Sequence, residues 1–217
     1  MTKILLAGAT GMVGEAVLAR LLADERVTRV VAPTRRPLAP HAKLLNPITT
    51  IEDLPHDAEW WAVDGVICAL GTTRAKTPSA TEYRAIDYGY PLTIATLAHR
   101  NGATRFALTS STGANSQSLF RYTRMKGDLE EAIDRLDYPS LTLVRPGFLG
   151  GTRREARRLE RFTGIALRIV GPVLPVGVRV NPASTVAALL VEGALQGEPG
   201  KRIITSAEIV RSADSRR

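Results

Sequence analysis

Cysteine and aromatic residues are both scarce in this sequence. The 217 residues include one cysteine, Cys68, so the chain cannot form an internal disulfide, and a reducing compartment is predicted. We therefore expect a cytoplasmic protein. Phenylalanine, tryptophan and tyrosine make up 5% of the chain, and few of them accompany its basic stretches. That scarcity argues against a stacking platform for single-stranded nucleic acid, and we do not expect nucleic acid as a partner.

Long hydrophobic runs are missing as well. No window approaches the ~18 uninterrupted apolar residues that a membrane-spanning helix needs, so we predict no transmembrane segment. The hydrophobic content of 44% and the charged content of 23% are typical of an ordinary globular protein. A chain of this length can build one sizeable core, so we expect a single domain over residues 1–217. We predict no metal site, and either a monomer or a homodimer.

Apolar runs of strand length alternate with longer segments of helical period. This alternation predicts an α/β fold of the Rossmann type, in which helices cover both faces of a doubly wound parallel sheet. Strands are predicted near residues 3–7, 28–33, 65–70, 104–109, 141–145 and 202–205, with a weaker strand near 47–51. Helices are predicted near residues 12–23, 81–100, 122–136 and 183–195, and the C-terminal residues 211–217 are expected to fray.

Positive charge is in excess, with 29 lysine and arginine residues against 21 aspartate and glutamate residues. Much of the excess lies in residues 151–180, which interrupt the alternation and form a predicted basic lid or insertion in a small C-terminal substrate region. Residues 153–168 of this segment carry Arg153, Arg154, Arg157, Arg158, Arg161 and Arg168. Three interpretations stay open: a docked helix with a solvated arginine face, a lid over an anionic substrate or cofactor, and a surface for a membrane or nucleic acid.

A glycine-rich turn, GATGMVG at residues 8–14, joins the first predicted strand to the first predicted helix. Gly8 can adopt the backbone angles of a tight turn, Gly11 lets the main chain approach a pyrophosphate, and Gly14 allows close packing of helix on strand. The helix N-terminus offers free N–H groups to phosphate. The predicted cofactor-binding residues of this turn are Gly8, Thr10, Gly11, Met12 and Val13. The alternative is a tight strand-to-helix turn without a ligand.

The end of the second predicted strand indicates which dinucleotide would bind. An NAD site places an acidic residue about 20 residues beyond the glycine motif, whereas the 2′-phosphate of NADP needs cations. The sequence here is VVAPTRRP, in which Thr34, Arg35 and Arg36 supply a hydroxyl and two guanidiniums and no carboxylate competes. The pattern favours NADP over NAD. The alternative is a solvated basic turn before Pro37.

A further cofactor contact is predicted where the strand in CALGTTR ends. Leu70 ends that strand and Gly71 and Thr72 follow it directly, and glycine there permits close approach of the adenosine side of the cofactor. The threonine hydroxyl could reach a ribose or a phosphate. An ordinary strand-to-loop turn would explain the same residues.

The helix beginning near Tyr122 carries a Tyr-x-x-x-Lys pair. Its predicted buried stripe consists of Met125, Leu129, Ala132, Ile133 and Leu136. Tyr122 and Lys126 fall on the same side of the helix, because residues three or four apart are neighbours on its surface. A lysine that served only solubility would lie on the opposite side. Gly127 is costly inside a helix, which indicates that something passes close to the backbone there.

Proton transfer to a carbonyl oxygen is the chemistry that such a pair can perform. A phenol is a poor acid or base at neutral pH unless a nearby ammonium stabilises its phenolate. Ser111 follows the preceding strand and could hold the substrate oxygen near Tyr122, with Ser110 as the neighbouring candidate. The alternative is a tyrosine at the edge of the core and a lysine whose amine reaches solvent.

Taken together, these segments resemble the short-chain dehydrogenase/reductase superfamily, specifically its atypical branch of small NAD(P)-binding, epimerase-like proteins. The matching segments are GATGMVGE, TRRP, CALGTTR, the Ile86-Asp87-Tyr88 triplet, SSTGAN, YTRMKGDLE and RPGFLGGTR. The resemblance implies a Rossmann-type fold, NADP binding, and a catalytic centre of Ser111, Tyr122 and Lys126, the last two also contacting the cofactor. It also implies that Pro146 and Phe148 lie in a turn beside the nicotinamide.

We therefore expect an NADP(H)-dependent oxidoreductase that acts on a small carbonyl or alcohol substrate. The alternative is an NADPH-binding regulatory or sensor protein with little or no turnover. The serine, tyrosine and lysine set favours the enzyme, whereas the short region after residue 150 favours the sensor and disfavours a sugar-nucleotide substrate.

Overall fold

Seven parallel strands form the central sheet of the computed structural model, which describes residues 2–50, 52–72, 79–150 and 180–214. They are β1 (Thr2–Ala7), β2 (Val27–Val31), β3 (Leu44–Leu45), β4 (Gly65–Cys68), β5 (Arg105–Thr109), β6 (Ser140–Arg145) and β9 (Gly200–Thr205). Two further short strands, β7 (Leu149–Gly150) and β8 (Asn181–Pro182), pair with each other. The Rossmann-type α/β prediction is confirmed. The predicted lid lies outside the described residues, apart from Val180.

The strand order creates a crevice between β1 and β4. Across the sheet the order is β3-β2-β1-β4-β5-β6-β9, so the chain builds outward from β1 in one direction and then from β4 in the other. The register pairs Ala7 with Cys68, so the segments that follow β1 and β4 leave the sheet side by side at its carboxyl edge. Ligands of open α/β sheets bind at this reversal of strand order.

Helices cover both faces of the sheet. They are α1 (Met12–Ala23), α2 (Ala80–Arg84), α3 (Tyr90–Arg100), α4 (Arg121–Asp134), α5 (Ala183–Leu195) and α6 (Ser206–Asp214). Successive residues of β1 point to opposite faces, as a strand requires. Ile4 and Leu6 join a buried cluster with α1 and α5, whereas Leu5 and Ala7 join a second cluster with α3 and α4.

The predicted helix over residues 81–100 is interrupted. Helices α2 and α3 are joined by a single π-helical segment, Ala85–Gly89, which carries the buried Asp87. An inserted residue of this kind is invisible to a search for 3.6-residue periodicity, because the apolar pattern on each side continues. The interruption places Asp87 on the side of the helix pair that faces α4.

Two other predictions need correction. The weak strand expected near residues 47–51 is displaced: β3 lies at Leu44–Leu45, and Ile48 forms only an isolated bridge to Thr34. The tail expected to fray is helical as far as Asp214 in α6. This helix begins with a capping arrangement in which Thr205 donates its backbone N–H and hydroxyl to Glu208. Thr-x-x-Glu is a sequence signal for a helix start.

No helix within the described ranges is long and apolar enough to cross a membrane.

Candidate active site

The glycine turn after β1 combines two crowded glycines with one open glycine. Gly8 has a φ of +85°, and a Cβ added to it would lie 2.8 Å from the Ala69 carbonyl oxygen. A Cβ on Gly14 would lie 1.9 Å from the Gly8 carbonyl oxygen, so α1 packs on the turn as predicted. At Gly11, by contrast, the added Cβ would meet only the Gly8 oxygen, at 3.4 Å, within the described part of the chain. A tight turn alone accounts for Gly8 and Gly14 but does not require glycine at residue 11.

The N-terminus of α1 has no side-chain cap. Gly11 is its N-cap residue, and no side chain accepts a hydrogen bond there among the described residues. The first N–H groups of a helix have no partner within the helix, so they are available to an anion. Thr10 is exposed, Met12 is half-buried, and the Val13 side chain packs in the core. The donor set and the open glycine fit a pyrophosphate.

The turn after β2 is held rigidly and presents two arginines. The Asn46 amide donates to the Ala32 carbonyl oxygen and to the Thr34 hydroxyl, and that hydroxyl donates to the Arg36 carbonyl oxygen at 2.7 Å. Thr34 is therefore buried in the turn and is not free to donate to a phosphate, which corrects the role predicted for it. Arg35 and Arg36 are exposed and form no ion pair within the ranges that the structure describes.

The segment after β4 connects the glycine turn to the middle of the site. Its Ala69 and Leu70 backbone atoms approach Gly8, Gly71 is exposed, and the Thr72 N–H donates to the Asp87 carboxylate at 3.0 Å. The three residues predicted here, Leu70, Gly71 and Thr72, thus lie at the carboxyl edge between the glycine turn and the π-helical segment.

Lys126 is buried and paired with Asp87. Its Nζ atom lies 2.8 Å from the Asp87 Oδ1 atom, and the two side chains are 3% and 1% exposed. The ammonium does not point to bulk solvent, so the interpretation of Lys126 as a solvated surface lysine is wrong. Asp87 therefore binds Lys126 through one oxygen and the Thr72 amide through the other. The contacts run without a break from the glycine turn to α4.

Tyr122 lies one helical turn before Lys126 but is more exposed than predicted. It is 41% exposed, so the prediction that both residues lie on the buried side of α4 holds for Lys126 and is wrong for Tyr122. The reason is position: Tyr122 is in the first turn of α4, beyond the edge of the core. Its ring centroid is 6.5 Å from that of Tyr83. No hydrogen bond joins Tyr122 to Lys126 or Ser111 within the described segments.

The two serines after β5 have different surroundings. The Ser110 hydroxyl is buried and donates to the Glu130 carboxylate at 2.5 Å. Glu130 also pairs with Arg145. The hydrogen bond that the Arg145 guanidinium donates to Glu130 raises the pKa of Arg145. Ser111 is half-buried, and within the described part of the chain its hydroxyl makes one local bond, of 3.2 Å, to the Thr112 carbonyl oxygen. Of the two serines, Ser111 is the one that can reorient toward a substrate.

The turn after β6 is fixed from two sides. The Thr112 N–H donates to the Pro146 carbonyl oxygen at 2.8 Å, and the Gly147 N–H donates to the buried Asn181 side chain at 2.6 Å. Phe148 is 68% exposed at the end of this turn. The strand-end segments after β5 and β6 therefore lie together, and an apolar ring extends from them.

Gly127 explains how the loop after β5 meets α4. A Cβ on this residue would lie 2.2 Å from backbone atoms of Asn115 and Ser116. The prediction that something passes close to the helix backbone is confirmed, and it is the protein's own loop. This close approach brings the loop that contains Ser111 against the first turns of α4.

The glycine turn, the segment after β4, Asp87 and Ser111 lie in a region that matches a known family model. The model is described as the NAD dependent epimerase/dehydratase family, and it matches residues 4–121, more than half of the chain. This chain belongs to the NAD dependent epimerase/dehydratase family. The predicted resemblance to NAD(P)-binding short-chain dehydrogenase/reductase and epimerase-like proteins is thereby confirmed. The family is of the oxidoreductase type, and its cofactor is a nicotinamide dinucleotide.

Relatives of this epimerase/dehydratase-family chain include the protein named fmp52, mitochondrial, of Emericella nidulans, which is 36% identical over 187 residues and covers 80% of this chain and 78% of its own. The protein named FMP52, mitochondrial, of Candida albicans is 34% identical over 161 residues, covering 70% of this chain and 69% of its own. The solved structure of MoeE5 in complex with UDP-glucose and NAD has a TM-score of 0.70 at 19% identity, covering 98% of this chain and 81% of MoeE5. At that identity the likeness shows the fold alone.

The names of these family relatives contradict the predicted location. Both are named as mitochondrial proteins, so the expectation of a cytoplasmic protein is wrong. That expectation rested on the single cysteine, Cys68, which is buried and unpaired. A buried thiol is compatible with several compartments, so the cysteine count could not distinguish the cytoplasm from another one.

Three residues of this family member's site were missed from the sequence. Asp87, Glu130 and Asn181 are all buried and each bonds to at least two different partners. Glu130 had a signal, because it lies four residues after Lys126 on the buried side of α4, where a carboxylate requires a partner. Asp87 was named only within a segment that matches the family, and no spacing signalled its contacts, because its partners are 15 and 39 residues away. Among the described residues, no group of three or more histidine, cysteine or acidic side chains could hold a metal ion.

Proposed function

We propose that the protein is an NADP(H)-dependent oxidoreductase that reduces a small carbonyl compound or oxidises the corresponding alcohol. The observation that carries the proposal is the Lys126 ammonium, which is buried beside the strand-end segment that leads to the glycine turn. Burying a charge costs free energy unless the charge is paired and hydrogen-bonded. Buried charged groups in clefts are therefore candidates for functional sites.

The cofactor assignment follows from three groups of residues. The uncapped N-terminus of α1, with Gly8, Thr10, Gly11, Met12 and Val13, would hold the pyrophosphate. Leu70, Gly71 and Thr72 would line the adenosine side. Arg35 and Arg36 would bind the 2′-phosphate, because they are exposed on a rigid turn that contains no carboxylate. When bound, the reduced dinucleotide supplies the hydride that reaches the carbonyl carbon.

The protein's own residues manage the proton. In the reductive direction, Ser111 donates a hydrogen bond to the carbonyl oxygen and holds it near the Tyr122 hydroxyl. Tyr122 transfers its phenolic proton to that oxygen, which leaves an alcohol and a phenolate. The Lys126 ammonium lies one helical turn away and stabilises the phenolate until solvent returns the proton. Pro146 and Phe148 would border the nicotinamide, and the exposed Phe148 ring favours a substrate with an apolar part.

Oxidation of NADPH tests the enzymatic proposal. Stopped-flow absorbance would follow NADPH across a panel of small ketones and aldehydes, with UDP-glucose included because the MoeE5 structure holds it. Tyr122→Phe should lower the turnover rate about 10²- to 10⁴-fold, because the proton donor is lost. Tyr83→Phe is the matched control, because it removes the same hydroxyl from the neighbouring tyrosine. This variant should oxidise NADPH near the wild-type rate. If the protein binds NADPH but none of the tested substrates supports its oxidation, the protein is a sensor instead.

Equilibrium binding tests the choice of dinucleotide. Replacing both arginines, Arg35→Ala and Arg36→Ala, should weaken NADPH binding about 10- to 100-fold and leave NADH binding unchanged, since only NADPH carries the 2′-phosphate. Arg29→Ala, which removes an exposed guanidinium from β2, is the control. A wild-type protein that binds NADH more tightly than NADPH would contradict the NADP assignment.

A further inference from the structure

Asp87 is a buried acid that the proposed chemistry does not use directly. We propose that it is a positioning residue: its carboxylate holds the Lys126 ammonium and the Thr72 backbone together, so that one side chain aligns the catalytic lysine with the cofactor-binding segment. The inference rests on the proposed function, which places Lys126 at the nicotinamide end of the dinucleotide.

The geometry divides the two carboxylate oxygens between two elements. Oδ1 lies 2.8 Å from the Lys126 Nζ atom on α4, and Oδ2 accepts the Thr72 N–H at 3.0 Å in the segment after β4. Both charged side chains are almost completely buried. A displacement of either element would therefore strain a bond that water cannot replace.

The backbone around Asp87 supports a positional role. Asp87 is the third residue of the π-helical segment Ala85–Gly89, and π-helical turns are rare and are found at functional sites. A regular α-helix would rotate the following residues and carry the carboxylate away from α4. The Arg84 guanidinium, from the residue before the segment, lies 4.4 Å from the centroid of the Tyr88 ring within it.

Stability alone does not account for this ion pair. Replacement of a buried ion pair by apolar residues of similar volume is often neutral or stabilising, because two charges must be desolvated to form it. The pair is therefore better explained by its geometry. An ammonium has three N–H donors, and the one that Asp87 engages leaves two for a ribose hydroxyl and the Tyr122 oxygen.

Affinity measurements separate the two bonds of Asp87. Asp87→Asn keeps an acceptor for the Thr72 N–H but loses the charge that orients Lys126, so it should bind NADPH about 10- to 100-fold more weakly. Its affinity for adenosine 2′,5′-bisphosphate, which lacks the nicotinamide ribose, should stay at the wild-type value. Asp87→Ala loses both bonds and should bind both probes more weakly. Asp134→Asn, which breaks an exposed ion pair on the same helix, is the matched control.

Asp87→Glu and a double variant keep the test decisive if the charge loss disturbs folding. Asp87→Glu retains the charge but moves it by one methylene, so Tm should fall less than in Asp87→Asn while NADPH affinity still falls. Asp87→Asn and Lys126→Met should each lower Tm by roughly 6 to 20 °C, and their combination should recover much of that loss without recovering NADPH affinity. A double variant that regains wild-type affinity would assign Asp87 a structural role only.

The two proposals fail in different ways. If wild-type protein binds NADPH and Asp87→Asn binds it equally well, the positioning role is overturned and the proposed function stands. If wild-type protein binds neither NADPH nor NADH, both are overturned.

Discussion

The two sides of α4 carry ion pairs of the same chemistry in opposite surroundings. On its buried side, Lys126 and Glu130 each bond to a residue on another element at the carboxyl edge of the sheet. On its exposed side, Glu131 pairs with Arg135 and Asp134 pairs with Lys201. Exposed pairs contribute little to stability, whereas breaking a buried pair leaves a charge without solvent or partner. Burial therefore distinguishes the functional side of this helix from the solvated side.

Removal of Glu130 should have the largest effect on this comparison. Glu130→Ala leaves the Arg145 guanidinium and the Ser110 hydroxyl without their shared acceptor, so the free energy of unfolding should fall by about 3 kcal/mol. Urea denaturation followed by far-UV circular dichroism would measure it. The neighbouring Glu131→Ala removes the same group from the exposed side and should cost less than about 0.5 kcal/mol. Equal losses in the two variants would show that burial does not distinguish the two sides.

Substitution of Gly127 tests the close approach on which the functional side of α4 depends. Gly127→Ala places a methyl group 2.2 Å from backbone atoms of residues 115 and 116, so the loop must shift, at a cost of about 1–3 kcal/mol. Gly89→Ala, whose added Cβ would meet nothing within 4 Å among the described residues, is the control and should be neutral or stabilising. Thermal unfolding would compare the two, and a fully stable Gly127→Ala would contradict the packing of this loop on α4.

Glu208 tests whether a half-buried acid can matter when it caps a helix. Hydrogen bonds from Thr205 hold the pKa of Glu208 below its ordinary value of 4.5. A lowered folded-state pKa means that this stabilisation is fully present above about pH 4.5 and is lost as the pH falls through the folded-state value. Thr205→Ala should cost about 1 kcal/mol at pH 7 and less in acid, measured by unfolding at several pH values. A cost that is independent of pH would contradict the capping role.

Loss of the exposed pair at the end of α4 should have the smallest effect. Asp134→Asn should lower the free energy of unfolding by about 0.2–1 kcal/mol at low salt and by less at 1 M salt, because solvent and ions screen the charges. Chemical denaturation at the two salt concentrations would measure the difference. A large, salt-independent loss would mean that this end of the helix is not solvated as the structure describes it.

What the sequence could predict was local. The strand and helix alternation predicted the sheet, and Gly8, Gly14 and Gly127 were interpreted correctly because a tight turn or a close approach constrains one residue at a time. Asp87 was missed because its partners come from the segment after β4 and from α4, and nothing in the order of residues 85–89 signals a π-helical turn. The exposure of Tyr122 was misjudged because periodicity defines one side of a helix but not where the core ends along it.

Helix α6 shows the opposite case, a signal present in the sequence and not used. Thr205 and Glu208 have the spacing of a capping box, but the arginine-rich residues after them suggested a frayed end. The prediction of a cytoplasmic location was wrong for another reason. The number of cysteines indicates which redox conditions a chain is compatible with, but it does not identify the compartment to which the protein is targeted.

The single thiol in the sheet has a practical consequence. Cys68 ends β4, with β1 and β5 hydrogen-bonded on either side, and burial raises the pKa of its thiol to about 11. Alkylating reagents react with the thiolate, and the thiol lies in the buried cluster between the sheet and helices α3 and α4, so labelling at neutral pH requires that part of the core to open. The residue is thus a built-in reporter of core opening, and its labelling half-life, read by intact-mass spectrometry, would lengthen as a bound dinucleotide stabilises the folded state.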